Sequence, residues 1–288
     1  VAMPSITEIE NAFSNHCAEA GVIFTKSIIA DSVLHRAHVE GDKPGTKNGA
    51  YILHIDSNPS GWFRHFVSGA YGTWTLSGKR VPMTAAMRQQ IDADRQQRKA
   101  EQQQRHNDAA QKAGAIWRIA AATTEQYQSR YLMTKHVQPH GLRLRGDALV
   151  VPIYDEHKHL VNLQFIQPDG TKRFMAGGKK KGCYSFIGKP TAAGIIQIAE
   201  GWATSASLYE ATGHFTVVAL DAGNLEPVAL VFRRLYPDSE IIICGDNDES
   251  GTGQKAARSA ALAVGGKYII PTIVGHDFND MLTTEAAQ

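Results

Sequence analysis

Hydrophobic positions recur in distinct rhythms along this chain, and the changes of rhythm divide it. Over residues 5–20, Ile6, Ile9, Phe13 and Cys17 fall on one helical face behind Ser5, a residue suited to cap a helix start. From 32 to 76 the rhythm is strand-like. Ser32–Val39, Tyr51–Ile55 and Trp62–Val67 are separated by turn clusters at 41–45 and 56–61, which predicts a small antiparallel sheet. A long polar stretch follows from about Thr84 to Ala122, with no proline and a single glycine, Gly114. Its middle, Gln96–His106, is almost devoid of apolar residues, as expected of a helix that bridges domains or lies on a surface.

Strand rhythm returns over 124–190. Leu149–Tyr154 and Leu160–Gln167 flank a predicted hairpin turn at Asp155–His159, and Thr171–Met175 follows a turn at Pro168, Asp169 and Gly170. From 191 onward strands and helices alternate. The strands are Ile195–Ala199, Thr216–Leu220, Ile241–Cys244 and Lys267–Ile270; the helices are Ala203–Thr212, Pro227–Tyr236 and Gly253–Val264. Short apolar strands separated by helices imply an α/β domain with a parallel sheet covered on both faces. The predicted organisation is an N-terminal α+β module over 1–80, a long polar linking helix over 81–122, a basic α+β subdomain over 123–190, and the parallel-sheet domain over 191–288.

Composition narrows the class. The 288 residues are 43% hydrophobic and 20% charged, with no apolar run of membrane-spanning length and no secretory signal. Cys17, Cys183 and Cys244 are widely spaced, without a Cys-x-x-Cys pair, which argues against a zinc ribbon or a disulfide framework and for a reducing cytoplasm. Net charge is only +2, but residues 1–190 hold 25 Lys and Arg against 16 Asp and Glu, while residues 191–288 hold 5 against 12. A basic front and an acidic back suit an enzyme that grips a polyanion with one part and holds cations with the other.

The acidic residues of the last domain cluster where strands end, which is where open α/β sheets build their sites. Glu200 closes one predicted strand and is followed by Gly201, expected to let the backbone turn sharply. Asp246 and Asp248 follow the strand ending at Cys244, with Gly245 at the bend, and Asp277 and Asp280 follow the last strand. Their two-residue spacing would put Asp246 and Asp248 on one side of an extended segment, within reach of one ion. Hard oxygen ligands in such a set suit Mg2+ or Mn2+ over zinc.

The order Glu200-Gly201, then Gly245-Asp246-Asn247-Asp248 with Gly251 and Gly253, resembles a TOPRIM domain, shared by primases, type IA and II topoisomerases and some nucleases; the resemblance spans roughly 191–288. Within that group Glu200-Gly201-Trp202, Ala219–Leu225 and His276–Asp280 are similar to primases of the bacterial DnaG type, in the branch found on plasmids, phages and integrative elements. The resemblance implies that Glu200, Asp246 and Asp248 are the catalytic, metal-binding acids and that Asp277 adds a ligand. Thr204 and Asn279 stand where that family often has further acids, which implies a leaner metal site.

It also implies that the preceding basic segment faces the acidic cleft. Arg143, Arg145, Lys172, Arg173, Lys179, Lys180 and Lys181, with Lys255 after the Asp pair, are the expected ligands of template or nucleotide phosphate. In the N-terminal module Trp62, Phe63, Arg64, His65, Phe66, Tyr71 and Trp74 interleave aromatics with cations; such a set either stacks on single-stranded bases or builds the core of a small sheet. His35, His38, His54 and His65 read as scattered core or surface histidines. The expected function is a DNA-dependent primase making short RNA primers, with single-stranded DNA, nucleoside triphosphates and a replicative helicase as partners and no membrane association. A TOPRIM nuclease and a non-catalytic single-stranded DNA-binding accessory are the alternatives. No GxxxxGK[ST] loop, as carried by one class of TOPRIM nucleases, is present.

Overall fold

The computed structural model describes residues 4–56, 58–77, 85–123 and 129–286. Thr84 and the rest of the expected linker start at 81–84, and the first residues of the basic segment at 124–128, lie outside the described residues. The chain divides into two compact units, Val1–Ala93 and Asp94–Gln288. No helix among the described residues is long and apolar enough to cross a membrane.

The first unit opens with α1 (Ile6–Glu19), which starts where the sequence predicts: the Ser5 hydroxyl accepts from the Glu8 N–H, and the Glu8 carboxylate accepts from the Ser5 N–H. Ile9, Phe13 and Cys17 are buried, each large apolar side chain contributing about 2 kcal/mol, while Ile6 stays exposed. An antiparallel meander follows: β1 (His35–Ala37), β2 (Gly49–His54), β3 (Ser60–His65) and β4 (Tyr71–Thr75). Strand β4 is additional to the three predicted. Gly61 permits the close approach of α1, since a Cβ there would collide with the Phe13 ring.

The long helix α2 (Ala85–Ile119) contains the boundary between the units. It ends earlier than predicted because the chain leaves helical geometry to form β5 (Ala121–Ala122), which pairs with β6 (Arg143–Arg145). After α3 (Arg130–Lys135), strands β6, β7 (Ala148–Tyr154), β8 (Leu160–Ile166) and β9 (Lys172–Phe174) complete a five-stranded antiparallel sheet in sequential order. The alternation of β7 gives this sheet two apolar faces. Val150 and Leu163 pack on Ala113, Ile116 and Trp117 of α2. Leu149, Val151 and Ile153 pack on Trp202, Ala203 and Ala206.

The last sheet has the order β10-β12-β11-β13-β14, from β10 (Ser185–Ile187), β11 (Ile195–Ala199), β12 (Phe215–Val218), β13 (Glu240–Cys244) and β14 (Lys267–Ile269). Four strands are parallel, as expected; β10, absent from the sequence prediction, is an antiparallel edge beside β12. Helices α5 (Leu225–Leu235) and α6 (Thr252–Val264) cover one face through Val228, Phe232, Ala257 and Ala261. Helices α4 (Trp202–Thr212) and α7 (Phe278–Ala286) cover the other, with Leu208 and Phe278 against Ala199 and Cys244. Both faces are therefore buried, which is why the strands read as unbroken apolar runs.

Candidate active site

Strands β11 and β13 are neighbours, but the helices that follow them, α4 and α6, leave toward opposite faces of the sheet. Such a switch point opens a crevice at the carboxyl ends of the strands. Ala199 lies opposite Cys244 in the register, so Glu200 and the Gly245–Asp248 segment emerge side by side. Gly201 has φ −103° and ψ 158°, an extended conformation open to any residue. The expected sharp turn is therefore not its role; a Cβ at 201 would stand 3.4 Å from the Lys172 Nζ, an ordinary contact, which places that ammonium beside the residue that follows Glu200.

The electrostatics of the pair follow from burial. Removal from water pushes the Glu200 carboxyl up to about 7, with the charges of Asp246 and Asp248 adding to the shift. Burial, then the Asp277 charge, raises Asp246 to about 6, and Lys172 opposes that rise. The ammonium of Lys172 is in turn lowered by burial and supported by Asp277 and Asp246. Although the Lys172 side chain as a whole is exposed, its Nζ lies beside Gly201, the residue next to Glu200. Glu200 Oε1 and Asp246 Oδ1 are buried without a hydrogen-bond partner. Two hard oxygen donors left open at a switch point fit a divalent cation such as Mg2+ or Mn2+. Among the described residues, no three His, Cys, Asp or Glu side chains gather into a formed cation site.

Asp248, whose charge acts on both members of that pair, is held by the start of α6. Its Oδ1 accepts from the Ser250 hydroxyl at 2.5 Å and the Thr252 N–H at 3.1 Å, and its Oδ2 accepts from the Gly253 N–H at 2.6 Å. These bonds, the Ser250 hydroxyl first, hold its carboxyl down to about 2. Asp248 thus caps α6 and fixes the segment that carries Asp246. The close approach needs Gly253, where a Cβ would meet the Asp246 carbonyl oxygen at 2.5 Å. Gly253→Ala is expected to cost about 1–3 kcal/mol, because backbone must move to admit the methyl group. Urea unfolding of the full chain measures this; wild-type stability would show that the approach is looser than described.

Asp277 and Asp280 form a reciprocal cap at the start of α7: Asp277 Oδ1 accepts from the Asp280 N–H at 2.9 Å, and Asp280 Oδ2 from the Asp277 N–H at 3.2 Å. The other Asp277 oxygen accepts from the Thr204 hydroxyl at 3.2 Å. An acid at 204 would repel Asp277 where Thr204 donates to it. Lys135 of α3 pairs with Asp280 at 3.3 Å. Asn247, the residue between the two Asp, ties the Asp277 loop down: its N–H donates to the His276 carbonyl and its Nδ2 to the Pro271 carbonyl. Sequence reading passed over Lys135 and Asn247; Asn247 had a signal, its place inside the Asp-x-Asp motif, and Lys135 had none.

The other basic residues are distributed unequally. Arg143 is committed to the carbonyl and ring of Trp117, 4.4 Å from the ring centroid. Lys180 pairs with Asp221 and lies 4.7 Å over the Phe174 ring. Arg145, Arg173, Lys179, Lys181 and Lys255 are exposed. The Lys179–Lys181 loop is held by Asn224, a buried residue whose Oδ1 accepts from the Gly182 N–H and whose Nδ2 donates to the Cys183 and Ala219 carbonyls. Of the predicted set, Lys172 sets its charge near Asp277 and Asp246, and Lys180 pairs with Asp221, one of the charges acting on Glu200.

Residues 195–288 match the family model of the Toprim domain. Two curated relatives are both DNA primase TraC of Escherichia coli. One is 35% identical over 286 residues, covering 93% of this chain and 27% of the relative; the other is 35% identical over 259 residues, covering 84% and 18%. The chain thus spans about a quarter or less of the length of these relatives. The zinc-binding and RNA polymerase domains of Aquifex aeolicus primase align with 98% of this chain and 83% of their own at 14% identity and a TM-score of 0.44.

Proposed function

Starting from a chain whose residues 195–288 are a Toprim domain, we propose that it acts as a DNA-dependent primase, joining ribonucleotides on a single-stranded DNA template. The observation that carries this reading is the placement of Lys172 of β9, whose Nζ lies beside Gly201 and whose charge opposes the rise at Asp246, which supports a site shared by the antiparallel sheet and the Toprim domain. The likeness to relatives named as primases, which runs through both walls, supports synthesis over cleavage.

In the proposed reaction the 3′-oxygen of one nucleotide bonds to the α-phosphorus of the next. The bond to the bridging oxygen breaks, pyrophosphate leaves, and the hydroxyl proton passes to a base or to water. Glu200 and Asp246 would hold Mg2+ or Mn2+, which when bound supplies activation of the hydroxyl and neutralisation of phosphoryl charge. Asp248 keeps Asp246 in place through the α6 cap, and Asp277 sustains the same field from across the crevice. Lys172 meets incoming phosphate beside the acids. Arg145, Arg173, Lys179, Lys181 and Lys255 are free to line its approach, whereas Arg143 and Lys180 build the wall. A replicative helicase, and a cytoplasmic setting, belong to the same reading.

Labelled ribonucleotides on single-stranded DNA with Mg2+ or Mn2+ test it. Extension supports a primase, shortening of the template a nuclease, and binding with neither a non-catalytic accessory. Lys172→Met is expected to lower kcat/KM for nucleotide addition by about ten- to a hundredfold, as for loss of a charge-assisted hydrogen bond to phosphate. Unchanged kcat/KM would remove Lys172 from the site.

A further inference from the structure

The sheet of the N-terminal unit has two unlike faces. Tyr51, Leu53, Phe63 and Trp74 turn inward and join Phe13 in the core. The opposite face carries a cross-strand row in which Arg36 lies beside Ala50, Ala50 beside Arg64, and Arg64 beside Tyr71. The next row runs Ile52, Trp62, Thr73. Phe66, just past β3, lies under both guanidinium groups, 4.3 Å from Arg36 and 5.1 Å from Arg64. Phe66 is 47% exposed and Tyr71 73% exposed, so neither ring serves the core. Beside them Ile52, His54, Ser60, Trp62, Thr73 and Thr75 line a pocket of about 380 Å³. No Asp or Glu occupies an outward position on the four strands.

We infer that this face binds single-stranded DNA, with bases stacked on Tyr71, Phe66 and Trp62 and phosphates met by Arg36 and Arg64. Exposed flat rings offer a π-face to any unpaired base, and a duplex hides the base faces they need. Cations on a face whose strands carry no outward carboxylate fit a polyanion. An arginine already stacked on an aromatic ring is held in place before a phosphate arrives. The inference deepens the proposed use of a DNA template and rests on a surface built from other residues than the acidic cleft.

Fluorescence anisotropy of the full chain with labelled oligothymidylate, alone and as a duplex, tests the assignment. The double variant Phe66→Ala/Tyr71→Ala should bind the single strand on the order of tenfold more weakly or worse, with an unchanged salt dependence. Arg36→Gln/Arg64→Gln should flatten the dependence of log K on log salt by about 0.7 for each phosphate left without its arginine. Both should stay folded and melt within about a few degrees of wild type, since the side chains are exposed and only the contacts of Phe66 with the guanidinium groups and the Arg36 Nε bond to the Lys47 carbonyl are at stake. Wild-type affinity in both variants, duplex binding as tight as single-strand binding, or no single-strand binding by the wild type would overturn the inference. Glu200→Gln should keep full oligothymidylate affinity. A chain that makes no primers yet binds through this face would therefore sink the primase reading and leave this one standing.

Discussion

Replacing Glu200 by Gln should lower templated nucleotide addition by about three orders of magnitude or more, and should also stabilise the metal-free protein above neutral pH. The two effects share a cause. A carboxyl raised to about 7 from an ordinary 4.5 is one whose ionised form the fold disfavours, first by burial and then by Asp246, Asp248 and Asp221. Below about 4.5 the group is protonated in both folded and unfolded chains and costs nothing. As pH rises toward 7 the unfolded chain ionises freely while the folded one resists, so stability falls through that window and levels off above it. The full shift corresponds to about 3 kcal/mol; water at the mouth of the cleft screens this to about 1–2 kcal/mol. Glutamine keeps the shape and removes the charge. Melts at pH 5 and pH 8 in chelator should therefore show wild type losing stability relative to Glu200→Gln. Mg2+ or Mn2+ should restore wild type far more than the variant. Full synthesis by the variant, or parallel pH dependences, would sink the assignment of Glu200.

What was readable in the sequence, and what was not, divides along a physical line. The strands β11 and β13 and the helices after them announce themselves, because burial on both faces forces unbroken apolar runs and a local period marks each helix. Glu200 and Asp246 could be placed at strand ends from that pattern alone. The partners that side chains choose once folded could not. Asp248, grouped with Asp246 by spacing, takes the N–H groups of α6 because the chain bends into a helix a few residues later. Arg143 and Lys180 have the same composition signal as Lys172, yet Trp117 and Asp221 claim them through pairings between segments distant in sequence. Strand β10 is three residues long, and its place beside β12 follows from tertiary pairing and not from any local rhythm. The aromatics of the N-terminal sheet were an ambiguous set; the two-residue period of β3 divides them, Phe63 inward and Trp62 outward.

Asn279 is where the departure from the acidic pattern expected from the resemblance has its largest expected consequence. Its side chain is buried, and Nδ2 donates to the Lys135 carbonyl at 2.7 Å and to the Ser207 hydroxyl at 2.8 Å. The residue thus joins α7 to α3 and α4, and α3 carries the Lys135 that pairs with Asp280. Asn279→Asp keeps the volume but removes both donors, so the Lys135 carbonyl is left without its partner and a buried carboxylate faces that carbonyl, with the Ser207 hydroxyl as a lone donor to it. The expected cost is about 3–5 kcal/mol at pH 8, the range for an uncompensated buried charge. Burial would raise the new carboxyl's pKa, so the penalty should shrink as pH falls and the protonated acid regains a donor. Asn279→Ala removes the bonds without gaining a charge, and should cost about 2 kcal/mol with no such pH dependence. Urea titrations of the three proteins at pH 5 and pH 8 separate these outcomes; an Asp variant as stable as wild type at pH 8 would show that position 279 tolerates an acid. If the penalty is found, an asparagine here is required by the packing of α3, α4 and α7, and the leaner acidic set of this chain is a consequence of how its fold closes behind the site.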